Sequence, residues 1–314
     1  MSTRLVVTGA AGFFGLAIVR ALTRAEVRVI ATDRTDEFVP RPGTEPAFVD
    51  YVARDLEREN VDDLVDGANG VIYAAALTPG DEIGGETADR LLRVNLAAFL
   101  DTLSAARRSR RCSRVMFVSS TGVYDQSRDA DLQEDDADGA ASLYGAAKLA
   151  AELVARRHAA AVGRDFCAIR PTSLFGPGET ERPSRPNVTA FARLMRAARE
   201  RTSVRLEHCD SRADWVAVDD AGEAVALLWR APSFPELAFN VSSGAPRTLR
   251  DVADAVARVT DLRIVDDGEA VVDGGPDRPA RISNARLHAL GWHPARTPED
   301  VVREMLAETS AASA

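Results

Sequence analysis

An α/β fold is what this sequence predicts: a doubly wound parallel sheet with a smaller C-terminal lobe interleaved with it. Three observations carry that reading. Short Val- and Ile-rich runs alternate with helical patterns through the first half of the chain, and such alternation means right-handed strand–helix–strand units and a parallel sheet. A glycine-rich turn joins the first strand to the first helix. After Pro171 the alternation stops, and a Pro- and Gly-rich stretch leads into segments of different spacing.

The elements follow in order. Residues 4–8 form a strand, the glycine turn follows, and a helix runs to about residue 23. Strands are expected at 27–32, 48–53 and 70–75, then a long amphipathic helix at 87–108. A strand at 115–119, a helix at 142–162 and a strand at 166–170 complete the regular pattern. Gly176, Pro177, Gly178, Pro183 and Pro186 make residues 173–187 a loop. A helix at 188–201 and a strand at 204–208 come next. Asp219 is placed as the N-cap of a helix through residue 229. Helices near 249–260 and 298–307 end the chain. Residues 1–172, with a returning segment at about 214–242, make one unit; residues 173–213 and 243–314 make the lobe.

With 314 residues and 46% hydrophobic content, the chain has material for a sizeable core. A net charge of -9 argues against nucleic acid as main partner, and any anionic ligand must be drawn in by local arginines. There is no long apolar run, so a membrane role is not expected. A strand beginning at residue 4 leaves no room for a signal peptide. Cys112, Cys167 and Cys209 show no CxxC spacing, which suits buried, reduced thiols in a cytoplasmic protein. Glu207, His208 and Asp210 lack a metal-ligand spacing, so no metal is expected.

The turn reads Thr8-Gly9-Ala-Ala-Gly12-Phe13-Phe14-Gly15. Gly9 permits the tight turn, Gly12 lets backbone approach a pyrophosphate, and Gly15 allows close helix–strand packing. The helix N-terminus then offers free N–H groups and its positive dipole end to phosphates. Asp33 follows Gly15 by 18 residues, at the end of the second strand. A carboxylate there accepts ribose hydroxyls and repels a 2′-phosphate, which favours NAD over NADP. Arg34 beside it either stacks on adenine or meets a 2′-phosphate. Asp55-Leu56 after the third strand either reaches the adenine edge or is plain loop. Ala74-Ala75-Ala76 leaves room beside the cofactor.

Lys148 is the chain's single lysine and stands four residues after Tyr144, on an alanine-rich helix. A compact ammonium one turn from a phenol stabilises a tyrosinate. At about 5 Å and an effective dielectric of roughly 20 the attraction is about 3 kcal/mol. That is about two pKa units, taking the tyrosine from about 10 toward 8, where it is a usable general acid/base.

Together the glycine turn, Asp33, Asp55-Leu56, the alanine run, Asn95, Ser119-Ser120-Thr121-Gly-Val-Tyr124, Tyr144-x-x-x-Lys148 and Arg170-Pro171-Thr172-Ser173-Leu-Phe-Gly-Pro-Gly178 resemble an extended short-chain dehydrogenase/reductase of the NAD-dependent epimerase/dehydratase family. The resemblance spans most of the chain and implies a Rossmann-type domain with a small substrate-binding lobe. It implies that Tyr144 moves the hydroxyl proton, that Lys148 holds the nicotinamide ribose and lowers the tyrosine pKa, and that Ser120 hydrogen-bonds the reacting oxygen, with Thr121 as a stand-in. The stretch Thr172 to Leu174 would lie against the nicotinamide, with Pro171, Thr172 and Ser173 among the implied cofactor-binding residues. Asn95 is either cofactor-side support or a packing amide. Thr78, Thr121, Asn187, Arg212 and Arg278 are the implied substrate residues. The helices at 87–108 and 142–162 either pair with a second copy in a homodimer or pack in the core.

Departures from the family pattern are informative. Thr121-Gly122 stands where dehydratases carry Asp-Glu, so sugar dehydration is not expected. Arg212-Ala213-Asp214-Trp215 places the arginine one residue early, and Arg281 replaces an acid in Arg278-Pro-Ala-Arg281. Arg182 and Arg185 are candidates for a carboxylate clamp. The expected activity is hydride transfer between NAD and a secondary alcohol or ketone of a sugar or nucleotide sugar. A dehydrogenase or reductase of a non-nucleotide sugar, sugar acid or other ketone is the alternative, and a non-catalytic NAD-sensing regulator is a reading of a different class.

Overall fold

A computed structural model describes residues 4–78, 85–127, 129–182 and 184–312; Pro183 lies outside them. A seven-stranded sheet forms the centre. Its order is Ala238–Val241, Asp165–Pro171, Arg114–Val118, Gly70–Tyr73, Arg4–Thr8, Arg28–Asp33, Val49–Ala53, and every pairing is parallel. The chain winds outward from Arg4–Thr8 to Val49–Ala53, then returns to the other side of the first strand at Gly70–Tyr73. That reversal is the switch point of a doubly wound sheet, where the crevice outside the carboxyl ends binds ligands.

Strand alternation sorts the core. Leu5 and Val7 pack on one face with Ile18, Leu22, Val225 and Leu228, from the helices Phe13–Arg24 and Val218–Arg230. Val6 points the other way, toward Phe99, Leu103, Phe117 and Ala155. A third cluster joins Phe175, Phe191, Leu194, Leu249, Val252 and Val302. It draws mainly on segments on the lobe side of the expected division, with Ala217 from the returning segment. The tail does not follow that division throughout, because Leu287 and Trp292 pack into the core of the sheet domain.

Several expectations are corrected. The helix at 87–108 is interrupted by a π-helical turn, Arg93–Ala97, between Gly85–Leu92 and Ala98–Arg108. Asp219 is not a cap: Ala217 holds that position, and the Asp219 carboxylate instead accepts from Arg41 and Arg20. The stretch expected as loop contains a strand, Ser173–Phe175, paired with Trp215–Ala217. All three cysteines are free, but Cys209 is only half-buried.

Candidate active site

The carboxyl ends of the central strands open onto a cleft of about 810 Å³. Gly9 has φ +64°, and a Cβ there would lie 2.6 Å from the Ala75 backbone; one at Gly15 would lie 2.0 Å from the Gly9 carbonyl. The turn can press against the exit of the fourth strand only with glycine at both places. Thr8 Oγ1 accepts the N–H groups of Ala74 (3.1 Å) and Ala75 (3.3 Å), which fixes that exit. The helix Phe13–Arg24 begins with no side-chain cap, so its first N–H groups are left for an anion.

Gly9, Gly12, Phe13, Phe14, Gly15, Asp33, Arg34, Asp55, Leu56, Ala74, Ala75, Ala76, Pro171, Thr172 and Ser173 all line the cleft. Asp33 accepts from the N–H groups of Ala11 (3.1 Å) and Arg34 (2.8 Å), so its carboxylate is held beside the glycine turn. Asp55 caps its own loop by accepting from the Glu57 N–H. Thr172 donates to Asp214 Oδ1 at 3.0 Å, which ties the cleft wall to the segment leading into the strand Trp215–Ala217. Thr35, Glu37 and Val39 also line the Asp33 side; sequence reasoning missed them because a loop without periodicity gives no sign of which way it folds.

The lobe reaches across. Arg182 donates to the Ala11 carbonyl at 2.5 Å, and Thr78 donates its N–H (3.0 Å) and hydroxyl (3.2 Å) to the Ser184 carbonyl. Arg185 is bound by the buried Glu179. Thr78, Asn187 and Arg278 line the cleft. Arg278 makes no ion pair among the described residues, and crowding by protein pulls its guanidinium down from its ordinary value.

Arg212 and Thr121 are not among the residues that line the cleft. Arg212 forks onto Asp277 (2.8 and 3.2 Å), because a one-residue shift along a strand turns a side chain to the other face. Thr121 is buried and donates to the Pro171 carbonyl. Asn95 also lies behind the wall. It is fully buried in the π-turn, and its Nδ2 donates to the carbonyls of Leu77 (2.8 Å) and Leu91 (3.1 Å).

Ser120 and Tyr144 meet at the cleft. The helix Leu143–Val162 is capped by Ser142, which accepts from the Gly145 N–H. Its first turn is pressed onto the segment after Arg114–Val118, since a Cβ at Gly145 would lie 2.1 Å from the Gly122 carbonyl. That approach brings the two side chains together: a Cβ at Gly122 would touch both the Ser120 hydroxyl (3.4 Å) and the Tyr144 ring (3.9 Å). Ser120 accepts from the Gly122 N–H at 3.0 Å.

Lys148 lies one layer deeper, 1% exposed. Its Nζ donates to the Val118 carbonyl at 2.9 Å and sits 5.6 Å from the centre of the Tyr144 ring. The expected direction at Tyr144 is reversed. Burial pushes its phenol above the ordinary value, against the opposing influence of Arg185 and Ser120. Burial also pulls Lys148 down to about 7, against Glu152. Each charged form loses water, and that loss outweighs the groups that oppose it. Sequence reasoning missed Glu152 and Arg170, although Glu152 follows Lys148 by one helical turn.

The model of the NAD dependent epimerase/dehydratase family matches residues 5–242. The chain belongs to that family. Among its relatives, the GDP-6-deoxy-D-mannose reductase of Pseudomonas aeruginosa is 27% identical over 98% of this chain and 97% of its own length. A solved structure, MoeE5 in complex with UDP-glucuronic acid and NAD, is 25% identical, with TM-score 0.82 over 98% of this chain and 99% of that one. The UDP-N-acetylglucosamine 4-epimerase of Methanobrevibacter ruminantium, solved with UDP-N-acetylmuramic acid, shares the fold at 21% identity and TM-score 0.81, over 98% and 99% of the two chains. The epimerase/dehydratase fold thus extends over both the sheet domain and the lobe.

Proposed function

We propose that this protein transfers a hydride between NAD and a secondary alcohol or ketone of a sugar or nucleotide sugar, with Ser120, Tyr144 and Lys148 as its catalytic residues. The observation that carries this reading is the meeting of Ser120 and Tyr144 at the same cleft as the glycine turn, with Lys148 directly behind. The cleft fits a dinucleotide: two glycines that admit no Cβ, an uncapped helix N-terminus and a carboxylate at the second strand end. When bound, NAD supplies the hydride acceptor. Asp33 would accept ribose hydroxyls and repel a 2′-phosphate, which supports NAD over NADP. Ser120 orients the substrate hydroxyl, and Tyr144 takes or returns its proton. Lys148 supplies positive charge that favours the tyrosinate. Thr172, hydrogen-bonded to Asp214, holds its part of the wall in place.

Asn187, Thr78 and Arg278, which makes no ion pair among the described residues, suit an anionic group on the substrate. The nucleotide-sugar enzymes among its relatives support a nucleotide sugar. A non-nucleotide sugar or sugar acid is kept as the second reading, because Arg212 is turned away and paired with Asp277. Exposed Leu92, Leu153, Val154 and Val162 on the helices Gly85–Leu92 and Leu143–Val162 support a homodimer through that face. A cytoplasmic location is proposed from the free thiols. No helix of the described residues is long and apolar enough to cross a membrane.

Replacing Tyr144 with Phe tests the assignment. Turnover should fall about a hundredfold or more, with NAD still bound. Unchanged turnover would reject Tyr144 as the acid/base; a parent protein that binds NAD and turns over no substrate would leave the regulator reading standing.

A further inference from the structure

We propose that Glu152, clamped by Arg170, is a positioning residue that holds Lys148 in its charged form. Its place in the mechanism rests on the role given to Lys148 above; the test below does not.

Lys148 and Glu152 are one turn apart on the helix Leu143–Val162, hence on one face. Both are 1% exposed. The groups that face Lys148 come from every element around it. Its own helix contributes Tyr144 and Glu152. The strand Arg114–Val118 contributes the Val118 carbonyl and the Phe117 ring, 4.8 Å from Nζ. The strand Asp165–Pro171 contributes Arg170. Tyr124 and Glu134 lie on the far side of Arg170, and Arg185 faces Tyr144. Among the described residues Glu152 is the acid that acts on Lys148. The Glu134 carboxylate is engaged elsewhere, by the Asn240 N–H (3.0 Å) and Arg286 (3.5 Å).

Arg170 explains why the carboxylate stays ionised and in place at this depth. Its Nε and Nη2 fork onto the two Glu152 oxygens at 3.0 and 2.5 Å, the geometry that fixes a carboxylate most firmly. Its Nη1 donates to the Tyr124 hydroxyl and the Glu134 carbonyl, each at 2.6 Å. Tyr124 in turn donates to Asn240 Oδ1 at 2.7 Å, and Asn240 is the register partner of Arg170 on the neighbouring strand. The guanidinium cannot rotate without breaking this set. Lys148 therefore faces an anion of fixed position whose charge is partly spent on Arg170. Removing the anion leaves two buried cations together; removing the guanidinium frees the whole carboxylate for Lys148.

Because Lys148 is the only lysine in the chain, protein made with [ε-13C]lysine gives one side-chain signal, and its titration midpoint reads the charge on Lys148 directly. Glu152→Gln should lower that midpoint by about one pH unit or more, and Arg170→Gln should raise it by a similar amount. The opposite signs separate a charge effect from loosened packing, and either variant that keeps its fold by circular dichroism decides the matter. A folded variant that titrates within about 0.3 units of the parent would overturn the proposal. If the midpoints move as stated and the parent protein turns over no sugar substrate, it is the functional reading that fails. If turnover is normal and the midpoints stay fixed, it is the role of Glu152.

Discussion

Asp219→Asn should destabilise the fold strongly. The Asp219 carboxylate accepts from both terminal nitrogens of Arg41, at 2.7 and 2.9 Å, and from Arg20 at 2.8 Å. The side chains of Asp219 and Arg41 are 7% and 6% exposed, while that of Arg20 is 19% exposed. Removing one partner of a buried pair costs about 3–5 kcal/mol, because the other charge is left without compensation. Arg20 can turn toward water, so the uncompensated charge is that of Arg41, and the loss should lie near the lower limit, about 3 kcal/mol. Arg41→Met should cost less, about 1–2 kcal/mol, since Asp219 keeps Arg20 as a charged hydrogen-bond partner. The double variant should lose less than the sum of the singles, by about 2 kcal/mol. Equilibrium urea unfolding of the parent and the three variants gives all of these differences. Burial raises the Asp219 carboxyl, but Arg41 and Arg20 outweigh it and hold the group below its ordinary value. Its contribution is therefore full above the unfolded value of about 4 and is lost as pH falls through the lower folded value. The gap between the parent and Asp219→Asn should close on acidification. A loss under about 1 kcal/mol at neutral pH, or strict additivity of the two singles, would refute this reasoning.

Other outcomes follow from the same geometry. Asp33→Ala removes the carboxylate that repels a 2′-phosphate, so the ratio of NADP to NAD affinity should rise about tenfold or more by titration calorimetry. Lys148→Met should abolish turnover yet stabilise the fold at neutral pH by on the order of a few kcal/mol. The parent lysine is pulled down to about 7 on folding, so the unfolded chain binds more protons between about pH 7 and 10, and parent stability should rise with pH across that window. Urea midpoints of both proteins at pH 7 and 9.5 check this; a destabilised Lys148→Met at pH 7 would contradict it. Tyr144→Phe should cost about a hundredfold in rate with NAD binding intact.

What was legible in the sequence was local. The glycine turn, Asp33, Ala74–Ala76 and the Tyr144/Lys148 pair sit at strand or helix ends, and a short motif carries their geometry with it. Arg212 shows the limit. It carries the family's residue type one position early, and because a strand has a period of two, that shift sends it to Asp277. The π-turn at Asn95 adds one residue to a helical repeat, less than apolar spacing over 22 residues resolves. The strand Ala238–Val241 is four buried residues carrying an asparagine, too short to separate from loop by pattern. The shift of Tyr144 runs against the expectation, and that of Lys148 was not foreseen, because spacing reports proximity and not burial. Only the packed structure shows that both groups lose their water together.

The central claim is that this cleft is an NAD site, and calorimetric titration of the cofactor-stripped protein with NAD tests it most directly. The account predicts saturable binding at one site per chain, weakened about tenfold or more by Asp33→Ala. An absence of saturable NAD binding to protein that keeps its fold would contradict it.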